Sequence, residues 1–459
     1  MSEHNLSNDK PNVVMIFPDT MTFDHIGAYG GNASTPNLDR IISKGMKFNC
    51  CNPNSPLCSP ARYNLLTGRY ASRCQEFKKL YTPHDPAFIR WNVYLKKQEN
   101  TLIDAFQENG YTTGMVGKWH LGEGALEEFD QSEKSSDPEV MEKVHKNYEI
   151  ARDYIKKHSG FDYAESLFTN NENAIPMPED IACHHNMPWI TKGALDFIEK
   201  NQEEPFFLYY SPNLPHQPDV LDTLKSYSLL TPAGYLEEEL EVQPSYNNVL
   251  KRLEKLGYPK DSEPETEERR EKEFMAKMMW LDDGVGALLN KLEELELMDD
   301  TIIIVNSDHR EHGKMTCYRQ YLPLVFQWKN KIEAGRECEA LVSHVDITKT
   351  ITDLCNLESD VEMDGKSFSD LLFNPDLEWD NHIYTEVAYS RGILTKDWNY
   401  VSVRFPENVA NVIDEDNRDN FNQEGVDISN IRFNVDRDFP GYFDSDQLYY
   451  YPDDKNEQN

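Results

Sequence analysis

The 459-residue sequence lacks any long apolar run. Its longest runs, Val13 to Phe17 and Ile302 to Val305, fall far short of the ~20 residues that a membrane-spanning helix needs. The first residues, MSEHNLSNDK, also lack the basic and apolar regions of a secretory signal peptide. We therefore expect a protein with no membrane segment that works in the cytoplasm, with the periplasm as the alternative compartment.

Positive charge and cysteine are scarce as well. The chain has 46 Lys and Arg against 81 Asp and Glu, a formal net charge of −35. Such a surface repels phosphate groups, which excludes nucleic acid and anionic membranes as general partners. Eight cysteines are too few for a dense disulfide framework, so most are expected to be buried thiols. Since 39% of the residues are hydrophobic, the chain can still bury a full core.

Strand-like and helix-like patterns alternate through most of the chain. The predicted strands are Asn12–Phe17, Thr112–Val116, Phe206–Tyr210, Thr301–Val305 and Leu324–Trp328, and the predicted helices are Thr101–Asn109, Ile190–Asn201, Phe274–Leu297 and Ile347–Cys355. This alternation predicts an α/β fold in which a large, mainly parallel sheet is sandwiched between helices. Polar residues just past the strand ends would then meet at one edge of the sheet, where such folds place their active sites.

The chain divides into a large and a small predicted domain. Residues 1–365 form the α/β domain, interrupted by a Glu- and Lys-rich excursion over residues 219–273. Residues 366–459 form a smaller α+β domain whose predicted antiparallel strands are His382–Val387, Gly392–Leu394 and Trp398–Phe405. The chain ends in DDKNEQN, a turn-like segment that would lead into a further terminal helix.

The most informative segment is PLCSPARYNLLTGR, residues 56–69. Pro60 fits the first turn of a helix and Ser59 its N-cap, which places Cys58 at a helix N-terminus that favours an anion. Arg62 follows one turn later on the same face. These features alone are equally typical of an ordinary capped helix with a buried thiol.

This segment resembles the signature of the type I sulfatases, Cys-x-Pro-x-Arg followed by Thr-Gly-Arg. The matching residues are Cys58, Pro60, Arg62, Thr67, Gly68 and Arg69. The segments GMVGKWHLG (114–122), PHQP (215–218), SDH (307–309) and KMTCY (314–318) resemble further motifs of that family in the same order. The resemblance implies an alkaline phosphatase-like fold and a sulfuric ester hydrolase.

The resemblance implies a nucleophile and a metal site. Cys58 would be oxidised to formylglycine by a maturation enzyme, and its hydrate would attack sulfur to give a covalent sulfo-enzyme intermediate. Asp19, Cys58, Asp308 and His309 would bind one Ca²⁺, a hard cation that prefers oxygen ligands.

Five further residues receive catalytic roles from the same resemblance. Arg62 and Lys118 would hold the hydrated aldehyde and its developing charge. His216 and Lys314 would bind the sulfate and help protonate the leaving oxygen. His120 would take the proton from the second hydroxyl, which expels sulfate; a neutral histidine suits that role.

The sequence departs from the family pattern at three points. Thr20 stands where a second acidic metal ligand is usual, so it is not assigned as a ligand. Arg310 replaces a glycine after the Asp-His pair, and we expect it to point outward. The loop between Asp308 and Lys314 is shorter than usual, which puts the position of Lys314 in question.

The expected substrate is a sulfated carbohydrate, such as an algal polysaccharide fragment from ulvan or carrageenan. Candidate sugar-stacking residues are Trp91, Tyr94, Trp189, Tyr389 and Tyr442. Because the net charge is strongly negative, binding of an anionic glycan requires cations focused in the pocket. Two alternatives remain: a phosphomonoesterase or phosphonate monoester hydrolase of the same superfamily, and a catalytically silent glycan-binding relative.

Overall fold

The computed structural model describes residues 10–82, 87–97, 99–181, 185–216, 229–238, 240, 251–252, 255, 267–310, 314–410, 422–423, 426–427 and 439–458. The strands are, in chain order, β1 (Asn12–Ile16), β2 (Met46–Asn52), β3 (Thr112–Lys118), β4 (Tyr163–Phe168), β5 (Phe206–Ser211), β6 (Leu230–Thr231), β7 (Gly234–Tyr235), β8 (Thr301–Val305), β9 (Leu322–Trp328), β10 (Arg336–Ser343), β11 (Ile383–Val387), β12 (Ser390–Leu394), β13 (Trp398–Val403), β14 (Asn422–Gln423), β15 (Val426–Asp427) and β16 (Asp446–Tyr450). The α-helices are α1 (Pro36–Lys44), α2 (Cys58–Thr67), α3 (Gln75–Leu80), α4 (Leu102–Glu108), α5 (Pro138–Ser159), α6 (Met187–Lys200), α7 (Glu267–Glu294), α8 (His344–Leu354), α9 (Ser369–Phe373) and α10 (Glu407–Ala410).

The large sheet has eight strands in the order β10-β2-β9-β8-β1-β5-β3-β4. Neighbouring strands are parallel except at β9, which runs antiparallel to both β2 and β8. The mainly parallel sheet expected from the sequence is therefore confirmed. Since the C-terminal ends of β1, β3, β5 and β8 meet at one edge, the residues that follow them are brought together.

Side chains of the central strand alternate between two apolar cores on opposite faces of the sheet. Met15 belongs to the same buried cluster as Phe106 of α4, whereas Val14 belongs to the cluster that contains Trp280 of α7. Helices thus cover both faces, which is why β1 and β8 are buried at every position and, after Asn12 and Thr301, apolar rather than alternating.

A second, antiparallel sheet lies near the C-terminus, as predicted. Its four strands have the order β11-β12-β13-β16, and all three neighbouring pairs are antiparallel. Phe368, Leu371 and Leu372, around α9, pack in the apolar cluster of the large sheet rather than on this second sheet. The division into domains at residue 365 stays a prediction.

The predicted strands and helices are all present, with bounds that differ by a few residues. The largest difference is at α7, which begins at Glu267 and so reaches into the predicted excursion. Most of the rest of residues 219–273 lies outside the described residues. Three strands of the large sheet, β2, β4 and β10, were not predicted, because polar residues interrupt their apolar pattern. Within the described ranges, no helix is long and apolar enough to cross a bilayer.

Candidate active site

Four potential metal ligands converge at the C-terminal edge of the large sheet. Asp19 follows β1, Asp308 and His309 follow β8, and Cys58 is the first residue of α2. All four side chains are buried, and one ligand atom from each lies within 4.8 Å of the others. Sγ of Cys58 lies 3.1 Å from Nε2 of His309.

The chemistry of this cluster fits a divalent cation. Two buried carboxylates supply the oxygen ligands that a hard cation prefers, and they would otherwise be costly to bury. Nε2 of His309 lies 3.9 Å from Oδ1 of Asp19 and 3.8 Å from Oδ1 of Asp308. Burial lowers the pKa of His309, but Asp308 and Cys58 outweigh it and raise the value to about 9. The cluster therefore attracts positive charge.

Helix α2 presents Cys58 to this cluster in a way that differs from the sequence prediction. The helix begins at Cys58 itself and its N-cap is Leu57, an extended residue with no capping side chain. Ser59 as N-cap was therefore wrong, because it already lies within the first helical turn. The correction leaves Cys58 in the first turn, at the positive end of the helix. Every residue of α2 is buried, so Cys58 is held rigidly.

Two buried cations bind the carboxylates of the cluster. The Arg62 guanidinium lies 3.0 Å from Oδ2 of Asp308 and 3.5 Å from Oδ2 of Asp19. The Lys118 ammonium donates hydrogen bonds to Asp19 and to Oδ1 of Asn171. Because both cations are fully buried, these partners are what makes their charges tolerable in the core.

Asp19 is ionised in this environment. Burial alone raises its pKa, but the positive charge of Lys118, followed by that of His216 and Arg62, lowers the pKa well below its ordinary value. Its carboxylate also accepts a hydrogen bond at 2.6 Å from the hydroxyl of Thr20. Asp19 is therefore available as an anionic ligand at neutral pH.

Thr20 and Arg310, two of the three departures from the family pattern, have different positions. Thr20 has φ of 64° and donates its N–H to Oδ1 of Asp308 at 2.9 Å, so it orients both carboxylates. Arg310 pairs with Asp24, and its guanidinium lies 5.0 Å from the centroid of the Phe23 ring. Arg310 thus binds a half-exposed surface carboxylate rather than the metal-ligand cluster.

His120 follows β3 and lines a cavity next to Lys118. Its φ of 58° lies in the left-handed region, which is uncommon for a residue other than glycine and signals a constrained position. Its N–H donates to the carbonyl of Thr169 at 3.0 Å. Burial, together with the charges of Lys118 and Arg62, lowers the pKa of His120 well below 6.5. The imidazole is therefore neutral and able to accept a proton.

His216 and Lys314 lie around the same cluster. The loop that carries His216 runs beside the end of β1. Asp19 forms an isolated β-bridge with Pro215 and donates its N–H to the carbonyl of Pro212 at 3.1 Å. His216 is half-buried and close enough to lower the pKa of Asp19. Lys314 is buried and contributes positive charge at His309. The structure thus brings all nine sequence-derived site residues to one region.

Supporting residues that the sequence reasoning missed are Asn171 and Ser211. Ser211, the last residue of β5, accepts a hydrogen bond at 2.5 Å from the Arg62 guanidinium. Asn171 follows β4 and accepts from Lys118. Both are polar residues at the C-terminal ends of parallel strands, a signal that identifies Ser211 from the sequence but not Asn171, whose strand was not predicted.

Comparisons with known proteins match most of the chain. The family model described as Sulfatase matches residues 11–357, and the model described as N-sulphoglucosamine sulphohydrolase, C-terminal, matches residues 308–420. The chain is 26% identical over 415 residues to an arylsulfatase of Hemicentrotus pulcherrimus and covers 63% of that protein with 81% of its own length. It is 24% identical over 445 residues to an ulvan-active sulfatase of Formosa agariphila, covering 77% of that protein with 89% of its own length.

The fold is also shared with a protein solved in complex with its substrate, D-glucosamine-2-N,6-O-disulfate. The TM-score is 0.60 at 19% sequence identity, and the match covers 98% of this chain and 93% of that chain. At this identity the likeness concerns the fold alone.

Proposed function

The chain belongs to the sulfatase family, whose members are sulfuric ester hydrolases, and from that premise we propose that it hydrolyses a sulfate ester on a carbohydrate. The observation that carries the proposal is the buried cluster of Asp19, Cys58, Asp308 and His309, with Arg62 and Lys118 bound to its carboxylates. The names of the relatives, which include an ulvan-active sulfatase, support a sulfated glycan as the substrate.

Cys58 is the proposed nucleophile, after conversion to formylglycine by a maturation enzyme. One hydroxyl of its hydrate loses its proton to solvent, and its oxygen bonds to sulfur while the bond from sulfur to the sugar oxygen breaks, so that the sugar leaves as the alcohol. His216 or Lys314 donates the proton to that leaving oxygen. The sulfo group is then bound to the hydrate oxygen of residue 58.

His120 completes the cycle in this proposal. It takes the proton from the remaining hydroxyl of residue 58, the bond from carbon to the sulfate oxygen breaks, and the aldehyde re-forms. The lowered pKa of His120 supports this role, because a base must be unprotonated before it acts. Sulfate leaves with both electrons of the broken bond.

Asp19, Asp308 and His309, with the oxygen of residue 58, would hold one Ca²⁺. When bound, the cation would supply positive charge beside the sulfate oxygens, where negative charge increases in the transition state. Arg62 and Lys118 keep the ligand carboxylates in place. The identity of the cation is part of the proposal.

Peptide mass spectrometry across Cys58, on protein produced with a formylglycine-generating enzyme, tests the mechanism. The aldehyde in place of the thiol, together with release of sulfate from a sulfated sugar, supports the proposal. Release of sulfate by protein that retains only the thiol contradicts the assigned nucleophile. Faster hydrolysis of an aryl phosphate than of the matched aryl sulfate favours the phosphoesterase alternative.

A further inference from the structure

A cavity of about 690 Å³ opens beside His120. Its walls come from residues 91–96, from 120–125 after β3, from the C-terminal part of α5 and from residues 169–170 after β4. We name it the Lys96 cavity. Since His120 belongs to both the cavity and the proposed catalytic site, a ligand in the cavity would lie next to the reacting sulfate.

Three basic side chains converge on the Lys96 cavity. Lys96, Lys157 and His158 all line it, and both lysines lower the pKa of His158 after the effect of burial. The ammonium of Lys96 donates a hydrogen bond to the Tyr154 hydroxyl at 3.3 Å. In the described part of the chain, no carboxylate oxygen lies within 4.0 Å of either lysine ammonium.

This local charge contrasts with the whole protein, whose net charge is −35. Among the described residues neither Lys96 nor Lys157 has a carboxylate partner, so their charge is available to a ligand. An anionic group held between them would gain two charge-assisted hydrogen bonds in a partly enclosed space.

Aromatic and hydroxyl-binding groups complete the cavity. Trp91, Tyr94 and Tyr154 line it, and Tyr94 is 40% exposed, so its ring is open to a ligand. Glu123 lies half-buried in the wall and can accept a hydrogen bond from a sugar hydroxyl. Gly122 has φ of 105°, and a Cβ there would lie 2.5 Å from Oη of Tyr154, so glycine is required to keep this wall in place.

We propose that the Lys96 cavity is a subsite for the sugar next to the one that carries the scissile sulfate, and that Lys96 and Lys157 bind an anionic group on that neighbouring sugar. The inference rests on the proposed sulfatase function and narrows its substrate to a polyanionic oligosaccharide. The anionic group is a second sulfate or a uronate carboxylate, and aromatic side chains contact the sugar ring.

The test compares three disaccharides with the same scissile sulfate and a neighbouring sugar that is neutral, sulfated or a uronate. The wild-type enzyme and the double variant Lys96→Ala/Lys157→Ala are measured with each. We expect the wild type to hydrolyse one or both anionic disaccharides with a higher kcat/KM than the neutral one. In the double variant, the ratio of the anionic to the neutral kcat/KM should fall by about tenfold. A loss confined to the sulfated or to the uronate disaccharide identifies which group the lysines bind.

Two controls make the outcome specific. Lys156→Ala changes an exposed lysine of the same helix that does not line the cavity, and the substrate preference should stay at the wild-type value. Lys96→Arg/Lys157→Arg keeps the charge and should retain most of the preference. A wild type that does not distinguish the three disaccharides, or an equal loss on all three, overturns the subsite.

The failure of the subsite and the failure of the proposed function are distinguishable. Wild-type turnover of an aryl sulfate, which has no neighbouring sugar, reports on the sulfatase function alone. If this turnover is present and the preference for an anionic neighbour is absent, only the subsite proposal fails.

Discussion

The guanidinium of Arg62 lies 3.0 Å from Oδ2 of Asp308, and both side chains are fully buried. Arg62 is on α2, one helical turn after Cys58, whereas Asp308 follows β8. This ion pair therefore fixes the helix that carries the proposed nucleophile to the strand end that carries two of the proposed metal ligands. The arrangement exists before any substrate binds, which is the preorganisation that electrostatic catalysis requires.

Arg62→Lys should reduce activity and stability together. The second nitrogen of the guanidinium bonds to Ser211 and to the carbonyl of Lys118, and a lysine cannot reach both sets of partners. We expect kcat to fall by about 100-fold and the free energy of unfolding by about 3 kcal/mol. Urea unfolding and aryl sulfate turnover measure the two effects. Arg310→Lys, at the surface pair with Asp24, should change neither; equal effects at both positions would contradict this account.

Cys58→Ala should abolish turnover without unfolding the protein. The substitution removes the proposed nucleophile but leaves a small apolar side chain in a buried position. We expect at least about a thousandfold loss of kcat, as when a nucleophile is removed from an enzyme, and a thermal midpoint close to the wild type. Cys74→Ala, at a buried thiol of another segment, is the matched control and should retain turnover. Activity in Cys58→Ala above this level would show that another group attacks sulfur.

Removal of divalent cations should inactivate the enzyme reversibly. Arg62 and Lys118 still bind the carboxylates of Asp19 and Asp308 when the cation is removed, so chelation should leave the buried cluster folded and able to bind the cation again. We expect metal analysis to find one divalent cation per chain, and turnover lost on chelation to return when Ca²⁺ is added. Asp308→Asn should raise the Ca²⁺ concentration needed to restore turnover by at least about tenfold. Full activity in metal-free protein would contradict the assigned metal site.

The pH dependence of turnover should reflect His120. Burial and the neighbouring Lys118 and Arg62 lower its pKa well below 6.5, so the free enzyme keeps the neutral imidazole down to mildly acidic pH. We expect kcat, which includes the step that expels sulfate, to hold at its plateau through pH 6.5 and to decline only at more acidic pH, as His120 is protonated. His120→Gln should lower kcat at every pH by about 100-fold or more. A decline with an apparent pKa above 6.5 would show that another group causes the loss of activity at acidic pH.

Asp282 should make the protein less stable as pH rises. Its carboxyl on α7 accepts the N–H of Leu38 at 2.8 Å, at the start of α1, and burial raises its pKa from 3.8 to about 7. Between these two pKa values the folded state holds a proton on Asp282 that the unfolded state has lost. The stabilisation that comes from this proton is therefore complete below about pH 4 and is lost as pH rises through about 7. The slope in the free energy of unfolding should reach at most ~1.4 kcal/mol per pH unit.

Asp282→Asn keeps the acceptor for Leu38 but does not titrate, so this slope should disappear from urea unfolding measured across the same pH range. Asp299→Asn, at an exposed pair with Lys329, is the control and should leave the slope in place. An unchanged slope in Asp282→Asn would assign the pH dependence to another buried carboxyl, such as Glu457.

The sequence by itself determined the central strands and the chemistry-bearing motifs. The strand Thr301–Val305 was predicted with its observed bounds, because a strand buried on both faces gives a continuous apolar run, here the four residues after Thr301. Cys58 and Arg62 were predicted on one face of a helix, because that spacing depends only on the helical period. The family was also readable, since its motifs are contiguous stretches of sequence.

Tertiary structure decided what depends on contacts between distant segments. Strand β2, half-exposed and with polar positions, could not be distinguished from a loop until it paired with β9 and β10. The N-cap assigned to Ser59 was wrong because the extended chain up to Leu57 starts the helix earlier. Asn171 and Lys96 took on their positions only when separate strands and helices packed, because hydrogen-bond geometry and uncompensated charge are properties of neighbours in space rather than neighbours in sequence.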